Sequence, residues 1–193
     1  MDVIADVQTT DLRLIAENTS DRIHVYAQSM DSIPVGRGMG TILPEAVKAT
    51  GTVGVMLNHA ECKLTLDEIK KAIERADEVG LATIVCADTD EEIKAVAEMN
   101  PNIIVAEPSE LIGTGISVDR EYVDACISLV KSINPDIMVL PSAGISCGQD
   151  CYNIIKAGAD GSGSSSGICK AESPSKMAEE MMEAIRKAYD ETK

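Results

Sequence analysis

One pattern dominates the sequence: short apolar runs recur at even spacing, separated by stretches in which apolar residues return every three or four positions. The runs are VIADV (3–7), IHVYAQ (23–28), VGVMLN (53–58), ATIVCA (82–87), NIIVAE (102–107) and IMVLPS (137–142). Near-continuous apolar runs of this length read as parallel strands buried on both faces. Helical periodicity is clearest over 64–80 and 119–134, closed by Gly80 and Pro135, and again over 174–191, where Met181, Ile185 and Ala188 share a face. A seventh strand is expected within GADGSGSSSG (158–167). The βαβα alternation defines the α/β class. It fits a doubly wound open sheet or a (βα)8 barrel one unit short, and periodicity alone does not choose between them.

No linker or shift in composition divides the 193 residues, so a single domain over 1–193 is expected. The chain has no Phe, no Trp and four Tyr, so its core must be built from Val, Ile, Leu, Ala and nine Met. A formal net charge of −15 argues against nucleic acid and anionic membranes as partners, because no segment supplies the basic stripe they need. The start, MDVIADVQTTD, lacks the basic and apolar regions of a signal peptide, and no segment approaches the ~20 apolar residues of a membrane span. A cytoplasmic location is the expectation. Cys62, Cys86, Cys126, Cys147, Cys151 and Cys169 show no CxxC spacing, and Cys147 and Cys151, though placed to share a helix face, have no nearby His. Most are read as buried thiols, and neither a metal nor a cofactor is expected.

Polar and glycine-rich signals cluster just after the strands, where parallel α/β folds place their ligands. In NHAE (58–61), His59 ends a strand where the N-terminus of a following helix would hold the imidazole neutral, ready to act as an electrophile. His24 opens a strand and reads as structural. In NIIVAEPSELIGTG (102–115), Glu107 ends a strand ahead of a glycine-containing loop, as a carboxylate base beneath a mobile lid would. SAGIS (142–146) and SSSGICKA (164–171) are small-residue turns whose backbone N–H groups suit a phosphate.

Taken in order, LPEAVKATG, NHAE, VAEPSELIGTG, SAGIS and SSGICKA resemble the archaeal branch of the triosephosphate isomerase family along nearly the whole chain. The resemblance implies an incomplete TIM (βα) barrel of seven parallel strands, strand 1 being absent. It implies interconversion of glyceraldehyde 3-phosphate and dihydroxyacetone phosphate through an enediolate, with Glu107 as the base and His59 as the electrophile. Pro108 to Thr114 would be the lid, Ile112, Gly113, Gly144, Ser165 and Ser166 would hold the phosphate of a small triose substrate, and Asn58 and Glu61 would support the site. A homo-oligomer, tetramer or dimer, is implied as well.

The chain departs from the family pattern in three places. It begins at what matches the second strand, so the Asn-x-Lys element of the first strand has no counterpart. Glu61 then lacks its cation, and Ala60 stands where a serine is usual. GSGSSSG puts small polar residues where the family has an apolar strand. Lys63 and Lys170 are the lysines near the candidate loops in sequence, and the pattern does not fix their directions. The alternatives left open are an isomerase of another small phosphorylated carbonyl compound, a non-catalytic phosphate-binding paralogue, and a site completed by another chain.

Overall fold

A computed structural model of the chain describes residues 1–192. They divide into two compact units, Met1–Cys86 and Ala87–Lys193.

The first unit carries β1 (Val3–Val7), α1 (Leu12–Asn18), β2 (Ile23–Ala27), α2 (Pro44–Lys48), β3 (Gly54–Leu57), α3 (Leu66–Val79) and β4 (Ala82–Ala87), whose last residue opens the second unit. Its strands are parallel and lie in chain order. Residues in register point to one face of a sheet. On one face Val25, Ala27, Val55, Leu57 and Val85 are buried, and on the other Tyr26, Ile84 and Cys86. Burial on both faces explains the unbroken apolar runs, which alternation would have interrupted. The Tyr26 ring lies against Gly54, its register partner: a Cβ there would meet ring carbon at 2.1 Å, so only glycine fits. All five residues of β1 are half-buried.

The boundaries of α3 are set locally. Thr65 Oγ1 accepts the Glu68 N–H and the Glu68 carboxylate accepts the Thr65 N–H at 2.8 Å, a reciprocal cap. Gly80 stops the helix at φ 73°, and the Leu81 N–H returns to the Ala76 carbonyl. Its inner face buries Ile69, Ala72, Ile73 and Ala76, and each isoleucine stabilises by roughly 1.5–3 kcal/mol.

The second unit carries α4 (Asp90–Ala97), β5 (Ile103–Ala106), a 3-10 turn (Ser109–Leu111), α5 (Arg120–Ile133), β6 (Met138–Pro141), α6 (Gly148–Lys156), α7 (Ser166–Cys169) and α8 (Pro174–Asp190). β5 and β6 are parallel, Ile103 opposite Met138. Met181 and Ala188 of α8 pack with Cys151, Ile154 and Ile155 of α6, and Ile185 lies against that cluster, as the shared face predicts.

The expected seventh strand does not form: the described residues hold six strands, and 158–165 is irregular. The segment still runs beside β6, because the Asp160 N–H donates to the Val139 carbonyl at 3.1 Å. The return bond comes from a side chain, however, with the Val139 N–H donating to Asp160 Oδ2 at 2.9 Å. Farther on, Ser164 Oγ donates to the Ile145 carbonyl and accepts the Gly167 N–H. Asp and Ser satisfy backbone groups locally in place of a ladder, which is why a Gly/Ser run is a poor strand. The thiols also divide more evenly than expected: Cys86, Cys126 and Cys151 are buried, and Cys62 and Cys169 are exposed. Cys147 is the residue preceding α6, with extended backbone, so it does not share a helix face with Cys151.

Candidate active site

In the first unit, Asn58 ends β3 in the left-handed region, φ 58°, and is 2% exposed. Its Nδ2 donates to the Cys86 carbonyl at 2.8 Å and its Oδ1 accepts the Leu64 N–H at 2.9 Å. These bonds fold the chain back on itself and present His59 at the end of the strand. The His59 carbonyl accepts the Cys62 N–H, closing a tight turn.

The expected helix N-terminus is not what acts on the imidazole. α3 begins only at Leu66, and its Glu68 N–H is already capped by Thr65. Instead the Glu61 N–H donates to His59 Nδ1 at 3.3 Å. Because that nitrogen accepts, the proton of the neutral ring sits on Nε2, leaving an N–H donor for a substrate oxygen. Glu61 Oε2 lies 3.7 Å from Nδ1, but its side chain is 90% exposed, so a charge there contributes little.

Asp6, on β1, was not singled out by the sequence. Its Oδ1 is buried without a hydrogen-bond partner. Burial pushes the carboxyl up to about 6, and the nearby His59 opposes that rise.

In the second unit, Glu107 follows β5 and its N–H donates to the Ala87 carbonyl at 2.9 Å. The loop beyond it is tied by the Ser109 N–H to Asp88 Oδ1 at 2.9 Å, and by Thr114 Oγ1 to the Leu111 carbonyl at 2.8 Å. Gly113 and Gly115 take positive φ of 72° and 76°. Tyr122 of α5 lies where the charges of Asp88, Asp90 and Glu107 act on it. Burial first, then Cys126 and after it those carboxylates, raise its phenol well above the usual range.

Loops of this unit line an open cavity of about 310 Å³. Of the residues singled out for phosphate, Gly113, Gly144 and Ser166 line it, whereas Ile112 and Ser165 are adjacent in the chain but not in the wall. Ser146, Gly167 and Lys170 line it too. The Ser146 N–H is already taken by Asp150 Oδ2 at 2.9 Å. Gly144, at φ 66°, passes so close to Ile116 that a Cβ would fall 1.9 Å from the Ile116 carbonyl oxygen.

Parallel strands in chain order, with polar residues and small-residue loops following the strands, are the layout of the parallel α/β class, which places its ligands beyond the C-terminal ends of its strands. The sequence model of the triosephosphate isomerase family matches residues 1–184. Proteins named triosephosphate isomerase are similar along most of the chain. That of Methanocaldococcus jannaschii is 41% identical over 181 residues, 92% of this chain and 82% of the relative. That of Methanobacterium bryantii is 40% identical over 179 residues, 91% and 78%. That of Sulfolobus acidocaldarius is 37% identical over 191 residues, 98% and 82%. The chain belongs to the triosephosphate isomerase family. Among the described residues no helix is long and apolar enough to cross a membrane.

Proposed function

We propose that the protein interconverts glyceraldehyde 3-phosphate and dihydroxyacetone phosphate, as a single barrel-type domain over 1–193 that works as a homo-oligomer in the cytoplasm. Glu107 takes a proton from the carbon beside the substrate carbonyl and returns it to the neighbouring carbon. The Nε2–H of His59 polarises the carbonyl oxygen and protonates it as the enediolate forms. The loop 108–114 closes over the intermediate and excludes water. The phosphate lies against Gly113, Gly144 and Ser166, with Ile112 and Ser165 beside them, while Asn58 and Glu61 hold His59 in place.

The observation that carries this reading is the Nδ1 hydrogen bond of His59. With Nδ1 accepting, a neutral ring carries its proton on Nε2, which supports donation from that nitrogen to a carbonyl oxygen. The test is turnover of glyceraldehyde 3-phosphate by the purified chain in a coupled assay, with Glu107→Ala as background. Turnover that disappears in the variant supports the reading; equal rates in both chains overturn it.

A further inference from the structure

The wall of the 310 Å³ cavity contains one charged side chain, Lys170. Every other wall residue is small, apolar or a hydroxyl, so no carboxylate in the wall neutralises it. Among the described residues no hydrogen bond or ion pair engages its ammonium, whereas other cations of this unit are paired: Lys131 with Asp160 at 3.0 Å, Lys156 with Glu191, Arg186 with Asp190 at 2.8 Å. Lys170 is exposed, and in a chain of net charge −15 an unpaired cation lining a cavity of small residues is the feature best suited to an anion. Its position is set by the backbone. The Lys170 N–H donates to the Ser166 carbonyl at 3.0 Å, so the single turn of α7 puts Lys170 and Ser166 on the same cavity wall.

The wall also offers donors. Among the described residues no hydrogen bond occupies the backbone N–H of Gly113 or Gly144, both at positive φ. We propose that Lys170 is the charged member of the phosphate subsite, its ammonium pairing with a phosphate dianion whose remaining oxygens take the N–H groups of Gly113 and Gly144. This assignment rests on the isomerase reading for the identity of the ligand, but it concerns an electrostatic partner that the reading lacks. It also makes the subsite complete within Ala87–Lys193. The order of magnitude follows from the strength of a charge-assisted hydrogen bond to phosphate, which exceeds a neutral one about twofold.

The test titrates the full chain with inorganic phosphate and with glycerol 3-phosphate at low ionic strength by calorimetry. It compares wild type, Lys170→Met, Lys170→Arg and Lys176→Met. Lys176 lies on α8, is exposed and is absent from the cavity wall, so it removes the same charge elsewhere. Lys170→Met is expected to weaken both ligands by about tenfold or more and to flatten the salt dependence, with Lys170→Arg close to wild type and Lys176→Met unchanged. Equal affinity in Lys170→Met, an equal loss in Lys176→Met, or no phosphate binding by wild type overturns the assignment. Lys170-dependent binding without triose turnover would leave the subsite standing and sink the isomerase reading. Turnover with the KM unchanged in Lys170→Met would do the reverse.

Discussion

Asn58 Nδ2 is hydrogen-bonded to the Cys86 carbonyl at 2.8 Å, joining the end of β3 to β4 immediately before His59. With the Leu64 N–H on its Oδ1, this buried amide decides where the imidazole stands. Asn58→Ala removes both bonds and places a Cβ residue without a polar side chain at φ 58°. A loss of about 2–3 kcal/mol in denaturant unfolding is expected. Turnover should fall further than phosphate affinity, since the cavity lies in the other unit. Equal losses of the two would show that Asn58 acts only through stability.

Asp6 gives the fold a pH dependence of defined sign. Its pKa in the folded chain, about 6, lies above the ordinary value of 3.8. The stabilisation from its neutral form is therefore fully present below about pH 3.8 and is lost as the pH rises through about 6. Asp6→Asn cannot ionise. It should match wild type in acid and exceed it by up to about 3 kcal/mol near pH 8, read from urea midpoints across pH. A stability difference that is the same at every pH would refute the account.

The Tyr122 hydroxyl is buried with no hydrogen-bond partner, and three carboxylates act on it. Removing an unsatisfied buried hydroxyl relieves a desolvation cost. Tyr122→Phe should leave stability unchanged or raise it by about 1 kcal/mol, measured by thermal unfolding. A clear loss would mean that the hydroxyl is bonded in solution.

The thiols should react in two groups. Cys62 and Cys169 are exposed, while Cys86, Cys126 and Cys151 are buried, and burial pushes the Cys126 thiol up to about 11. Brief iodoacetamide treatment of the native chain followed by mass spectrometry should label the first pair and spare the other three. Early labelling of Cys126 would contradict the packing of α5.

Gly144 tolerates no side chain, because the new carbon would collide with the Ile116 carbonyl and the backbone is left-handed. Gly144→Ala should cost about 2 kcal/mol or more and abolish measurable phosphate binding. Retained binding in calorimetry would place the anion elsewhere.

Much of this was legible in the chain. The runs at 53–58 and 82–87 hold the buried parallel strands β3 and β4, since neither contains a charged residue, and Thr65 with Glu68 and Gly80 set the ends of α3 within a few residues. The segment 158–165 misled because strand count follows from spacing, whereas strand formation depends on side chains that leave the backbone to the ladder; Asp160 and Ser164 do not. Lys170 stood in the sequence beside a small-residue turn, but its direction depends on the single turn of α7, which has no periodic signal. Asp6 was hidden inside an apolar run, where a lone carboxylate reads as noise. The hydrogen bond that the Glu61 N–H gives to His59 Nδ1 could not be foreseen, since a backbone N–H two residues along is visible only in three dimensions.

The loop after Glu107 is clamped at both ends, by Ser109 on Asp88 and by Ile116 against Gly144. Between those two points lies the short tongue 110–115, with Gly113 and Gly115 at positive φ. Immobilising backbone costs roughly 1–2 kcal/mol per residue, so a short tongue demands far less of the arriving ligand than a loop loose along its length. A molecule as small as a triose phosphate has few atoms with which to drive such a closure. If the proposed isomerase reading holds, the two clamps would limit the backbone that such a ligand has to order.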